Sequence, residues 1–555
     1  MKYLRLLSFA LSFFPFHHIN SQVVDSTFGE PFSYGQPQNV YIPGITACDF
    51  DERDDRSYSM LFLDDGRIIL AGHTAWDGES DFAFARLLPD GTYDQTAGPD
   101  GEVRLDLGYQ NDSCLAAVRY QSDKVLMGGC VSLPGQTGYA NLLVRTDLDG
   151  NLDTSFGNQG QVIIDLPGFR EMVTKILPLP GGKIIIAGNV YYGPSYQYPD
   201  STFIFIGRLH PGGQVDSTFG INGFLYQRFS NCNSTLLGDI EIYDDGSVLI
   251  TGGGYHPYPG IYAGEIVCDP SITLCRYLPD GEPDPGFGFN GVVTLPFTAG
   301  RGNALSIYED GRVLVSGVTK NFSVEPNPII TLIARLLPNG TLDSTFSNDG
   351  IFRQYEPGAF GLGSDPVSIT ITGQDIFVAY HDDPVGSHLT FGILCLNGNG
   401  QLNTDFGNSG IFSYYNSYPL TSYALKEMRL SPDKQKLYFG GWYTKLLHKN
   451  MMVSRLNISD MNPTAVVERP GTNGMKIYPN PLREGIFYVD LPGLTTLEDF
   501  SLCIRDVAGR AILFRDGQFA GHQNKIDASL LANGVYFVEL SNRNECYTGK
   551  LLVQR

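Results

Sequence analysis

The chain has 555 residues, 12% of them aromatic and 17% charged, with 65 glycines and a formal net charge of −21. That acidity argues against nucleic acid and anionic lipid as partners, and the length allows roughly three or four ordinary domains or one repeat array. Aromatic residues suit strands and glycines suit tight turns, so the composition predicts an all-β protein.

The chain opens with Lys2 and Arg5, an apolar run from Leu6 to Phe16 and a small residue at Ser21. This is the layout of a secretory signal peptide over residues 1–21, because the run is too short to span a bilayer. No later stretch approaches a spanning length. Cleavage removes two positive charges and no negative one, so the exported product carries −23. The densest acidic patch, Cys48 to Arg56, reads as a solvated loop. Nine cysteines leave at least one thiol unpaired, and Cys268 and Cys275 are close enough in sequence to clip a hairpin.

From Val24 onward a hexapeptide recurs: VDSTFG at Val24–Gly29, then YDQTAG, LDTSFG, VDSTFG, PDPGFG, LDSTFS and LNTDFG. Its fifth residue falls at Phe28, Ala97, Phe156, Phe219, Phe287, Phe346 and Phe406, in steps of 59 to 69 residues. Each full unit holds two hairpin signals. The first is apolar–turn–apolar ending in Gly, as in Ser59 to Gly72; the second is a strand ending in Arg, a turn and the hexapeptide, as in Phe84 to Asp94. Two hairpins make a four-stranded sheet that cannot bury both faces alone, so the units must stack around an axis or along a solenoid.

The last unit has its first hairpin (Met428 to Tyr443) and third strand (Met451 to Asn457), yet no hexapeptide follows. The missing piece stands at the start of the chain. The expectation is a seven-bladed β-propeller over residues 22–462, closed by an N-terminal segment that supplies the outer strand of the last blade. The repeated arginines (Arg86, Arg145, Arg208, Arg276, Arg335, Arg455) and aspartates (Asp25, Asp94, Asp153, Asp216, Asp284, Asp343) are expected to pair within or between blades in a structural role.

The run seen as RTDLDGNLDTSFGNQG (Arg145 to Gly160) and RYLPDGEPDPGFGFNG (Arg276 to Gly291) resembles the bacterial delta-60 repeat. The resemblance implies a propeller and a surface location rather than a chemistry. Ala97 in place of Phe, Cys395 in place of Arg and Asn403 in place of Asp depart from the pattern.

Residues 463–474 read as a Pro-, Gly- and Thr-containing linker, and residues 475–555 as a small β-sandwich of alternating strands. This tail resembles the type A C-terminal sorting domain of the type IX secretion system of Bacteroidetes. The matching positions are Tyr478, Pro479, Asn480, Pro481, Asp506, Gly509, Gly534, Tyr536 and Lys550. The resemblance implies export through the outer membrane, with the secretion machinery as a partner and a product secreted or held at the cell surface.

No helix-borne H-E-x-x-H, G-x-S-x-G, P-loop or dinucleotide fingerprint is present. Asp147, Asp149 and Asp153 have the alternate spacing of a short calcium loop, but without its terminal Glu and inside the repeat's own turn. No other cofactor is expected. Tyr-rich loops at Asn189 to Thr202 and Gly254 to Gly264 offer contact area at low entropic cost. The expectation is a binding module for an extracellular glycan or protein. The alternatives are an extracellular hydrolase working at the channel mouth and a structural surface protein.

Overall fold

The computed structural model describes residues 44–193, 201–229, 234–255, 271–320, 329–355, 366–382, 390–414, 423–458, 475–491, 498–506, 511–541 and 546–554 apart from isolated positions, together with Asp25, Thr27, Phe28, Gly29 and the pieces 32–33 and 41–42. The signal peptide, the linker, residues 194–200 of the first Tyr-rich loop and 256–264 of the second lie outside the described residues. The chain divides into two compact units, Met1–Pro463 and Thr464–Arg555. Among the described residues no helix is long and apolar enough to cross a membrane.

Among the described residues the first unit contains seven four-stranded antiparallel sheets, blades 1 to 7, and a two-stranded piece, Phe32–Ser33 with Tyr41–Ile42. Blade 1 runs Asp54–Phe62, Ile68–Trp76, Glu79–Leu87 and Glu102–Leu105, each strand pairing with the next in chain order. Blades 2 to 6 start at Asp112–Tyr120, Arg170–Pro178, Ser234–Ile242, Arg301–Ile307 and Pro366–Thr372 and repeat the order; one parallel bridge, Thr202 to Ser234, links blades 3 and 4. Blade 7 takes Tyr423–Leu430, Lys436–Lys445 and His448–Asn457 from the end of the unit and Ile45–Cys48 from its beginning, with Ile45 opposite Ser454.

The first strand of each blade touches the first strand of the next, and that of blade 7 touches that of blade 1. Met60 N–H donates to Glu427 Oε2 at 2.6 Å across this junction, and the Ser57 hydroxyl donates to the Gly441 carbonyl. Apolar residues of adjoining blades interdigitate, as where Phe82, Phe84 and Val103 of blade 1 meet Cys114, Val125 and Met127 of blade 2. Each fully buried Phe or Val contributes about 1.5–3 kcal/mol, so this packing is a large part of what holds neighbouring blades together.

Every first strand carries a register irregularity near its middle, at Ser57/Ser59 in blade 1 and Leu425/Glu427 in blade 7. The glycine that ends the second-strand signal answers it. A Cβ on Gly72 would lie 1.8 Å from the Arg56 carbonyl oxygen, and one on Gly441 1.9 Å from that of Ala424. Only glycine lets the bulged backbone approach so closely.

The hexapeptide is not itself the outer strand. In blade 2 Thr146 bridges Leu152, the chain turns, and the outer strand starts at Gln161. In blade 7 the interval lengthens to the residues between Gly29 and Ile45. The reason is that the hexapeptide's Asp and Phe are committed to a clamp, described below, and cannot also pair along a strand.

Of the possible Cys268–Cys275 clip, Cys268 lies outside the described residues. Cys275 is a free, buried thiol packed with Ile250 and Phe219, and Cys48, Cys114, Cys130, Cys395 and Cys503 are also free and buried. Their side chains serve as small apolar core residues.

The second unit is a sandwich. One sheet holds Lys476–Tyr478, Ile486–Asp490 and Asn524–Asp527; the other runs Ala511–Phe519, Glu498–Asp506, Gly534–Ser541 and Cys546–Val553. Phe487, Val489, Leu502, Ile504, Val538 and Leu551 fill the space between them.

Candidate functional site

The repeated residues go into the frame. Arg208 Nε donates to Asp216 Oδ2 at 2.7 Å, its Nη2 donates to Thr218 Oγ1 at 2.9 Å, its Nη1 donates to the Pro279 carbonyl of the next blade, and its guanidinium lies 4.8 Å from the centre of the Phe219 ring. Arg145, Arg335 and Arg455 do the same with Phe156, Phe346 and Phe28, and Arg276 does so with Phe287 but without the hydroxyl bond, since Gly286 stands at that position. Their next-blade acceptors are the carbonyls of Pro211, Pro338, Gly398 and Pro89. Arg86 keeps the bond to Asp94 and reaches Leu148, but Ala97 offers it no ring. Burial works to raise the aspartate pKa values. Threonine hydroxyls, backbone N–H groups and the guanidinium outweigh it and hold Asp25, Asp94, Asp216 and Asp343 below the usual carboxylate range.

The three positions with calcium-loop spacing each have partners in this frame. Asp147 accepts N–H bonds from Asp149 and Asn151 in its own turn, Asp149 reaches Arg86 at 2.6 Å, and Asp153 holds Arg145 at 2.9 Å. Among the described residues no group of three or more His, Cys, Asp or Glu side chains is arranged to hold a metal.

Because the strands alternate in direction, the clamps and the first-hairpin turns all fall on one face of the ring. The opposite face carries the links between blades and the links between second and third strands. Those second-to-third links vary from two residues at 77–78 to seventeen at 256–272, and both Tyr-rich loops are among them.

On this variable face, where blades 1 and 7 meet, Asp54, Ala75, Trp76, Asp77, Gly78 and His448 line a cleft of about 570 Å³. Trp76 is 52% exposed there, and Arg53 lies 5.8 Å from its ring centre. The second tryptophan is close to the same junction. Trp442 packs on Tyr58 at 5.2 Å, with Lys426 Nζ 4.8 Å from its ring centre. Tyr58 and Lys426 are the extra residues of the bulges in blades 1 and 7. Burial pushes the Tyr58 hydroxyl up and the Lys426 ammonium down, the latter with help from Arg56. His73, beneath Tyr58, is depressed to about 4 by burial, and its Nδ1 lies 3.2 Å from the Cys114 carbonyl.

Nearer the clamp face, the channel holds charges from three blades. Lys175 Nζ pairs with Asp239 Oδ1 at 2.6 Å. Burial opposes the Lys175 ammonium, but Asp239, Glu427 and Glu241 outweigh it and raise its pKa. Glu427 accepts from Arg429 Nε at 2.6 Å. Burial, then Asp239, pushes Glu241 up to about 7 against the pull of Lys175 and Arg429. The sequence marks Asp239, Glu427 and Lys175 only as the position after the bulge, where other repeats carry Ser59, Ala116, Ala304 and Ser368.

In the tail, Asn480 Nδ2 donates to the Lys550 carbonyl at 2.6 Å and its Oδ1 accepts from Leu552 N–H at 2.8 Å. Leu482 N–H then bonds the Leu552 carbonyl at 2.6 Å. The Tyr478–Pro481 segment, with cis bonds before both prolines, therefore joins the last strand. Tyr478 hydroxyl donates to Asp490 at 3.0 Å. Gly534 opens the strand in which Tyr536 lies opposite Asp506, and Tyr536 hydroxyl donates to the Ala532 carbonyl at 3.1 Å. Gly509 and the Asp506 side chain lie outside the described residues.

Residues 476–554 match the secretion system C-terminal sorting domain. Segments 63–96, 121–156 and 309–346 match a β-propeller domain of unknown function, DUF5122. The protein is a secreted β-propeller with a sorting domain. The type IX system delivers this propeller to the outer cell surface or the extracellular space. Comparison with curated proteins gives no match. Among solved structures, the propeller is similar to a protein of unknown function from Dyadobacter fermentans DSM 18053, at 12% identity over 75% of this chain and 100% of that one, with a TM-score of 0.37. It is also similar to polysaccharide lyase Uly1 (9% identity, 80% and 99% covered, TM-score 0.41). A third is the β-propeller domain of the Trilobed protease from Pyrococcus furiosus (7%, 74% and 99%, TM-score 0.36).

Proposed function

We propose that the secreted propeller is a binding module that engages an extracellular glycan or protein on the face opposite its clamps. The observation that carries this reading is the division of labour between the two faces. All six arginine clamps and the near-uniform hairpin turns lie on one side, while the links of variable length, the cleft and the exposed Trp76 lie on the other. Loops that vary on a rigid frame are where recognition is built. The test is a glycan array together with capture of purified cell-surface proteins, using the mature chain from residue 22. Binding that survives substitutions on the clamp face and falls with substitutions on the variable face supports it; the reverse pattern sinks it.

One observation favours a hydrolase. Asp239, Glu241 and Glu427 converge in the channel from blades 4 and 7, and burial with the neighbouring Asp239 pushes Glu241 up to about 7, into the range a general acid uses. Turnover of a polysaccharide or peptide that disappears in Glu241→Gln would establish that activity. Silence in the binding and the turnover screens would favour a structural surface protein.

A further inference from the structure

Resting on that reading of the variable face, we propose that the cleft between blades 1 and 7 is a subsite for a neutral sugar ring of an extracellular glycan, stacked on Trp76. The cleft, of about 570 Å³, is open to solvent rather than enclosed, a shape that suits one ring of a longer chain more than a whole small molecule. Arg53 occupies one side of the Trp76 indole, while 52% of the residue stays open to solvent. A flat apolar face backed by a cation and left exposed suits the axial C–H face of a pyranose.

The surrounding polar groups decide the charge class. Asp54 is engaged by Lys449, whose backbone N–H and Nζ reach Oδ1 and Oδ2 at 3.2 and 3.1 Å, and Arg56 lies 3.7 Å from it. Arg53 is drawn over the indole. Charges of both signs therefore surround the cleft, Arg53, Arg56 and Lys449 against Asp54 and Asp77, rather than a cluster of one sign that would select an ionic ligand. Asp54, Asp77 and His448 offer acceptors and donors suited to hydroxyl groups. The chain's net charge of −21 opposes anionic polysaccharides at long range.

The cleft is also conditional on the latch, because one wall comes from blade 1 and His448 comes from the strand of blade 7 that pairs with Ile45–Cys48. A second-strand turn of only two residues, 77–78, keeps the wall low and the indole reachable.

The two-tryptophan composition makes a direct test available. Titration of the mature chain with maltohexaose, laminarihexaose, cellohexaose, xylohexaose and mannohexaose, with hexagalacturonate as the anionic comparison, is followed by calorimetry and tryptophan fluorescence. At least one neutral oligosaccharide is expected to bind, and Trp76→Ala is expected to weaken it at least tenfold without moving the thermal midpoint. The fluorescence change should persist in Trp442→Phe, where Trp76 is the sole indole, and vanish in Trp76→Phe. Neutral-sugar binding that is unchanged in Trp76→Ala overturns the cleft while sparing the wider binding reading. Preference for hexagalacturonate, or no binding to any oligosaccharide, overturns the cleft as well. The wider reading falls only if surface proteins also fail to bind.

Discussion

Blade 6 and the other six blades solve the same packing problem differently. Where the others hold an Arg–Asp pair, blade 6 has Cys395 and Asn403. Where blades 1, 3, 5 and 7 add a second cation from the first hairpin (Arg67, Lys183, Arg312 and Lys436), blade 6 has Asp375. The three changes compensate one another. Asn403 donates its Nδ2 to Asp375 Oδ1 at 2.9 Å, Cys395 joins the apolar core, and Phe406 meets the edge of Phe377 at 5.3 Å instead of a guanidinium. The close-approach glycine is replaced too: Tyr380 stands opposite Pro366, and Gly392 makes room for its ring. The junction to blade 7 then rests on side-chain bonds elsewhere, including His381 Nε2 at 2.8 Å from the Leu425 carbonyl. The lesson is that the clamp's backbone pattern is what the fold requires: Asn403 N–H still bonds the Cys395 carbonyl at 2.9 Å, as Asp216 N–H bonds that of Arg208 at 2.8 Å. The charges are one way to fill it.

The comparison is broken most forcefully by removing one partner of a buried clamp. Arg335→Ala leaves Asp343 buried without its main cation and opens the tie to Gly398. We expect a loss of about 3–5 kcal/mol in urea unfolding, against under about 1.5 kcal/mol for Cys395→Ala in blade 6, where no charge is stranded. Equal losses would show that the charges are not what distinguishes the blades.

The latch comes next. Asp25→Ala removes the partner of Arg455 at 2.8 Å, whose Nη1 also ties blade 7 to the Pro89 carbonyl of blade 1. A loss of about 2–4 kcal/mol is expected, and deletion of residues 22–30, which also takes out the buried Phe28, should lower the thermal midpoint further. An unchanged midpoint would show that the ring does not depend on its N-terminal clamp.

Converting blade 6 to the common pattern sharpens the contrast. Cys395→Arg with Asn403→Asp places a second carboxylate beside Asp375, whereas adding Asp375→Arg restores the usual balance. The triple variant should be more stable than the double by about 1–3 kcal/mol, read from the shift in urea midpoint at constant slope.

The smallest effects are in pH dependence, and here blades 1 to 3 differ from blade 4. Asp55, Asp112 and Glu171 occupy one repeat position, each buried and each accepting a backbone N–H: Phe50, Phe82 and Leu166 at 2.9, 2.8 and 2.7 Å. Burial raises them to about 7, 7 and 8. In blade 4 Thr235 accepts from Phe229 N–H at 3.2 Å and carries no charge. A raised carboxyl favours the protonated folded state, so its contribution is complete below the unfolded pKa near 4 and is lost as pH rises through 7 to 8. The clamp aspartates run the other way: their contribution is present above about 4 and is lost as pH falls through their depressed values. Glu171→Gln should therefore flatten the decline in urea midpoint between about pH 4.5 and 8 and leave the acid limb below that unchanged. A variant that alters only the acid limb would contradict this assignment.

The period, the four strands per unit, the misplaced first hexapeptide and the sorting domain were all legible in the sequence, because each rests on local chemistry repeated many times. Asp-Gly turns need positive φ, alternating residues need two faces, and an Arg eight residues before an Asp can meet it across one turn. The pairing of Arg with Asp was therefore foreseeable. Its reach to the next blade's carbonyl was not, because that acceptor is a backbone atom some sixty residues away and leaves no mark on side-chain identity. Cys275 illustrates the limit: its place in the sequence said nothing of the thiol's direction, and strand pairing turned it into the core. The candidate site was the least legible part. Trp76, Trp442, Tyr58 and Lys426 are scattered over more than 380 residues, and Lys175, Asp239 and Glu427 read as ordinary strand residues. They meet because the ring returns blade 7 to blade 1 and turns the first strands inward. Sequence determined the repeated unit, where short-range sterics and hydrogen bonds suffice; the tertiary structure alone decided which unrepeated side chains share a channel or a cleft, since that depends on closure.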